Sequence, residues 1–301
     1  MGIAMIGRAS FGIKTVPVHT GYDELVRVWR EADDLPLIEH GWLWDHLMPL
    51  FGDPHGPAFE GWTLLAALAA QTRRLELGLL VTGNLARPPA VLAKMAATVD
   101  VISGGRMVLG LGVGATDHPR PGQELAVREY RAYGLPLPPP AEGVGRLAES
   151  CALIHRMWTE KIFDFPGRYY RLAGVRCEPK PLRRPPLLIG GWGTRTLRVA
   201  AQYADVWNVP GPPHNDVEFV ARRSRVLDEH CLTIGRDPAE IIRSVQTHVH
   251  YDDPRRTREA VLSLTDVGVT HFALNLPMPL RTGLARWVND QIIEPVHALV
   301  G

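Results

Sequence analysis

The chain of 301 residues reads as an α/β protein, a closed (β/α)8 TIM barrel, on three grounds. Its short apolar runs are continuous rather than alternating, as in parallel strands buried on both faces. Segments of helical period separate them, giving about eight strand–helix alternations. Candidate chemistry gathers where those strands end, the face on which barrels build their sites. The whole of 1–301 is expected to form a single barrel domain.

Taken in order, strands are expected at Ile3–Ile6, Trp42–Trp44, Leu75–Val81, Met107–Val113, Leu187–Ile189, Ala204–Val209, Ile241–Val249 and His271–Leu276. The first helix, Tyr22–Ala32, places Leu25, Val28 and Trp29 on one face. Trp62–Thr72 follows. Pro88-Pro89 opens the next helix, since a proline's fixed φ suits a first turn, and Gly104-Gly105 stop it. Further helices are read at Gly145–Trp158, Arg195–Ala204, Val217–Cys231, Arg255–Val267 and Leu284–Val300.

One spacing departs from the pattern. About seventy residues separate the fourth strand from the fifth, more than a βα connection needs. Their proline run, Pro136 to Pro140, and the Phe163–Tyr170 segment sit in an insertion of about residues 115–185. Following a strand's C-terminal end, it would overhang the mouth as a lid and substrate wall, or else embellish the scaffold. Tyr130, Tyr133 and Tyr169 are its candidate wall residues.

Composition excludes several function classes. Lys plus Arg total 33 against 32 acids, a balance with no electrostatic footprint for nucleic acid. No apolar run is long enough for a membrane span, and the N-terminal residues lack a signal peptide's features. Cys151, Cys177 and Cys231 show no CxxC or Cys/His spacing and fit reduced thiols, so a cytoplasmic location is expected. No HxH, HExxH or GxSxG is present, so neither a metal site nor a serine hydrolase is expected. His55, His118, His214 and His248 have no partner pattern.

Three strand ends carry candidate chemistry. Trp44-Asp45-His46 ends the second strand, where an imidazole can exchange a proton in neutral water, unless it is simply a hydrogen-bonded structural histidine. Gly110-Leu-Gly-Val-Gly114 ends the fourth. A loop rather than a helix follows it, which disfavours a Rossmann fingerprint. Its glycines suit either close approach of a flat ligand or packing at the mouth. Gly190-Gly191-Trp192-Gly193-Thr194 runs into a helix whose unpaired N–H groups suit phosphate, unless it is a glycine turn with a threonine cap.

The segments GWLWDH (41–46), LELGLLVTGNLARPPAVLAKMAATVDVISGGRMVLGLGVG (75–114), GRYYRL (167–172) and PLLIGGWGTRTLRVAAQYADVWN (186–208) occur here in that order. In them the sequence resembles the luciferase-like monooxygenase family, particularly its coenzyme F420-dependent branch. The resemblance implies a deazaflavin, or alternatively FMN, at the barrel mouth and hydride transfer at the ring's C5 to or from a small-molecule substrate. An FMN-dependent monooxygenase using reduced flavin and O2 is the alternative enzyme, and a flavin-binding protein without turnover is the non-enzymatic one.

The resemblance also assigns roles. His46 would be catalytic, moving a proton or stabilising charge, with Asp45 orienting it or touching the cofactor. A cis non-prolyl peptide at about Leu79-Leu80 would back the ring, with Thr82, Gly83 and Asn84 along its polar edge. Gly112, Val113 and Gly114, with Gly190, Gly191, Trp192, Gly193 and Thr194, would take the ribityl and phosphate portions. Relatives often dimerise, so the resemblance allows a homodimer. Leu50 stands where sugar-phosphate dehydrogenases of this branch carry tryptophan, and Ala115 where they carry a glutamate acid. Both departures argue against that sugar oxidation.

Overall fold

Eight parallel strands close on themselves in the computed structural model, which describes residues 8–118, 122–212 and 214–300. The expected strand Ile3–Ile6 lies outside those residues. The first described strand is β1, Ser10–Thr15, whose Phe11 and Ile13 are buried outward while Gly12 and Lys14 alternate inward. It is followed by α1 (Tyr22–Asp33), β2 (Ile38–Leu43), α2 (Gly61–Gln71), β3 (Glu76–Leu79) and its short continuation β4 (Thr82–Gly83). Then come α3 (Pro89–Ser103), β5 (Met107–Gly112), α4 (Glu124–Ala132) and α5 (Pro140–Thr159). A hairpin of β6 (Phe163–Pro166) and β7 (Arg171–Val175) precedes β8 (Leu187–Gly190), α6 (Thr194–Tyr203) and β9 (Val206–Val209). The chain ends with α7 (Val217–Thr233), β10 (Ile242–His248), α8 (Pro254–Thr265), β11 (His271–Asn275), α9 (Leu284–Val288), one π turn and α10 (Glu294–Val300).

Barrel order is β1, β2, β3 with β4, β5, β8, β9, β10, β11 and back to β1, every neighbour parallel. The expected closed barrel is therefore present. Inward residues Trp42, Leu80, Val108, Leu188, Val206 and Ala273 fill its lumen, and the larger core lies between strands and helices.

The insertion divides into parts with different places. Helix α5 packs between α3 and α6 and so belongs to the outer helical ring. It begins five residues before the expected Gly145, because Pro139-Pro140 occupies its first turn. The β6–β7 hairpin folds back along α5: Glu149 accepts backbone N–H bonds from Arg168, Tyr169 and Tyr170. Tyr169 lies against Gly145 there. Among the described residues of the insertion, the stretch carrying α4 reaches the mouth. Among the described residues, no helix is long and apolar enough to cross a membrane.

Candidate active site at the barrel mouth

Beyond β2 the chain turns through Trp44-Asp45-His46, and each side chain is held separately. Asp45 faces Arg87 in a two-pronged pair, at 2.6 and 2.9 Å. Arg87 also bonds Glu60, whose carboxylate caps α2 by accepting from Trp62 N (3.2 Å) and Thr63 N (2.6 Å). Burial pushes the Asp45 carboxyl above the ordinary carboxylate value, against the opposing pull of Arg87 and of the Thr82 hydroxyl. Asp45 is thus the anchor of this loop, tied to the start of α2.

His46 is held by a different carboxylate. Its Nδ1 lies 2.8 Å from Glu129 Oε2, and the other oxygen of Glu129 accepts from Leu47 N. Glu129 is buried and belongs to α4. Two neighbouring tyrosines dock the same helix. Tyr133 Oη donates to Leu47 O at 2.9 Å, and Tyr130 is hydrogen-bonded to the Ala115 backbone. A methyl at Gly83 or Gly114 would lie within 2.4 Å of the Tyr130 hydroxyl, so both must stay glycine for α4 to seat. Trp44 meets His46 edge to face, their ring centroids 5.0 Å apart.

The third strand breaks at a cis peptide, Leu80–Val81, one bond later than expected. Leu79 faces the outer core and Leu80 the lumen, so neither lines the open mouth. Val81 does. A methyl on Gly112 would come 2.7 Å from Val81 Cγ2, and one on Gly190 2.9 Å from Cγ1. These glycines therefore leave room for the Val81 side chain. Val113 turns away toward Gly143 of α5. Thr82 Oγ1 accepts from Trp62 Nε1 at 3.0 Å, so its hydroxyl is already engaged. Asn84 is 1% exposed, yet neither atom of its amide has a partner. A buried amide left so incurs a penalty of about 1–3 kcal/mol unless a ligand satisfies it.

The loop after β8 is partly engaged as well. Gly191 N donates to Asn208 O (3.1 Å), and Gly191 O accepts from Trp207 Nε1 (2.7 Å). Trp192 stacks near His214, ring centroids 4.1 Å apart. Gly193 is the N-cap of α6 without a side-chain cap, leaving the first-turn N–H groups for an anion. Thr194 Oγ1 accepts from Arg223 at 3.2 Å.

Across the lumen runs a chain of buried polar groups. Gln246 Nε2 donates to Asn208 Oδ1 (2.9 Å), and Asn208 Nδ2 to Ser244 Oγ (2.7 Å). Ser244 Oγ in turn lies 2.8 Å from His271 Nδ1. His271 stacks on His40, centroids 3.9 Å apart at 7°. Burial lowers His271 to about 4 and holds His40 well below its ordinary range, with His271's proximity adding to the effect on His40.

Sequence reasoning brought His46 and Asp45 to the mouth and missed Val81, Arg87 and Glu129. Arg87 sits beside the proline pair that opens α3. Glu129 carries no local signal, because it reaches His46 from 83 positions away.

Comparison with known proteins extends the match. An F420-dependent glucose-6-phosphate dehydrogenase of Nakamurella multipartita is 34% identical over 97% of each chain. Among solved structures, an F420-dependent secondary alcohol dehydrogenase in complex with an F420–acetone adduct superposes with a TM-score of 0.82 at 16% identity. It covers 96% of this chain and 99% of its own. A monooxygenase from Streptomyces bottropensis gives 0.75 at 20% identity, over 95% of this chain and 99% of its own. These likenesses support the fold. The profile of the luciferase-like monooxygenase family matches residues 6–283, which takes in every strand described above, and the chain belongs to that family.

Proposed function

We propose that this protein is a coenzyme F420-dependent oxidoreductase, transferring a hydride between the deazaflavin C5 and a small organic substrate. The observation that carries the reading is the pairing of an unpartnered buried Asn84 amide with a Val81 wall received by Gly112 and Gly190. That surface offers a flat heterocycle one apolar face and one amide able to donate and accept, so the residues fit a deazaflavin. The F420-dependent relatives favour this coenzyme, while the likeness to a monooxygenase keeps FMN with O2 as the second reading.

When bound, the deazaflavin supplies a two-electron hydride carrier. The protein's own groups hold it and manage the proton. The first turn of α6, from Gly193 and Thr194, holds a phosphate, with Gly114 and Trp192 on the adjoining loops. His46 donates through Nδ1 to Glu129, which leaves Nε2 to give or take the proton that accompanies hydride movement. Glu129 sets the ring's tautomer, and Asp45 positions the loop through Arg87 rather than touching reactants. Helix α4 covers this edge of the mouth and helps exclude water.

His46→Ala is expected to retain coenzyme affinity while lowering turnover by about 100-fold, the usual weight of a general acid or base. The check is a fluorescence titration beside a deazaflavin absorbance assay on any substrate found by screening. Turnover unchanged by the substitution removes His46 from the mechanism.

A further inference from the structure

Lys14 has no part in the site so far described. It occupies the C-terminal half of β1, points inward and is half-buried. Its strand neighbours in register are Trp42 on β2 and Asn275 on β11, and His248 lies next to Asn275 on β10. The Nζ group donates to Gln246 Oε1 at 2.5 Å. The polar chain through Asn208 and Ser244 fixes that amide's orientation, so its oxygen and not its nitrogen faces the lysine. One of three N–H donors is thereby used, and two remain. Asn275 adds a buried Oδ1 without a partner, which leaves its amide adjustable.

No carboxylate among the described residues answers this cation. Burial alone lowers the Lys14 amine, to about 8, and His248 feels the lysine as a repelling charge. In barrel order β1 stands opposite β8, so Lys14 faces the wall where Val81 meets Gly190. A ring lying on Val81 would have its exposed face toward Lys14.

We propose that Lys14 is an oxyanion-binding group of the substrate subsite, so that the substrate carries a carboxylate or phosphate oxygen held across the mouth from Val81. The inference takes the mouth as the active site, as proposed above, but does not depend on which cofactor binds there. An oxyanion supplies the counter-charge that the fold withholds and accepts the two unused N–H donors. The subsite selects anionic substrates over neutral ones of similar shape.

The test is an NMR pH titration of protein labelled with 13C at the lysine Cε, alone and with benzoate, inorganic phosphate or coenzyme F420. The Lys14 signal is identified by its loss in Lys14→Met or, should that variant not fold, in Lys14→Arg. The expected midpoint is near 8 in the free protein. Benzoate or phosphate should raise it by about one pH unit or more, and F420 alone should not. The stronger of the two anions names the class. Lys14→Met should weaken that anion's binding tenfold or more and leave F420 affinity within about twofold. A midpoint in the ordinary range near 10.5, no response to either anion, or a response to F420 alone overturns the proposal. An anion response in a protein that binds no F420 supports the subsite while sinking the coenzyme assignment.

Discussion

Asp45 and His46 are adjacent in sequence and answer to different partners, and that division decides what each can do. Asp45 is spent on Arg87, so its removal from the pair is a stability matter before it is a catalytic one. Arg87→Met should leave a buried carboxylate without its cation and cost about 3 kcal/mol in urea denaturation. Adding Asp45→Asn should recover most of the loss, and a double variant no better than the single would break the account of this pair. The WDH segment was legible in the sequence because polar residues at a barrel strand's end stand out against an apolar strand. Glu129 was not legible. The sequence shows no glutamate at Ala115, and the carboxylate that meets His46 comes instead from a helix within the insertion. That substitution of source is a tertiary fact with no local pattern behind it.

At the scale of elements, the third strand and α4 build the mouth between them. Apolar continuity over Leu75–Val81 announced a buried strand, but not that it would break between Leu80 and Val81 and turn one valine onto the mouth. The glycines of β5 and β8 make room for that valine. Gly112→Ala would press a methyl to 2.7 Å from Val81 Cγ2, and the valine must shift. Coenzyme affinity is expected to fall about tenfold, with recovery when Val81→Ala is added, as volume is then restored. A titration in which Gly112→Ala binds as well as the parent would remove Val81 from the cofactor wall. Helix α4 has no clear pattern in the sequence, because it is nine residues long, four of them charged, with only Val127, Glu129 and Tyr130 buried.

Across the whole molecule, the alternation of strands and helices sufficed for the barrel, since closure follows from eight βα units. The lumen's polarity is less visible from sequence, where His40 and His271 look like isolated histidines. Stacked and buried, both are held neutral. Their native pKa values lie below the unfolded value near 6.5, so the unfolded chain binds more protons as pH falls through that value. Their contribution to stability is therefore complete above about pH 6.5 and declines toward about pH 4, where His271 itself titrates. Denaturation at pH 5.5 should show about 2 kcal/mol less stability than at pH 7.5. His271→Gln should reduce that difference, and an unchanged difference would place the responsible groups elsewhere.

The central claim is that this barrel mouth takes a deazaflavin, and a paired fluorescence titration of the purified protein with coenzyme F420 and with FMN tests it most directly. F420 is expected to bind at micromolar concentration or below, and FMN far more weakly. Tight binding of FMN with none of F420 would contradict it.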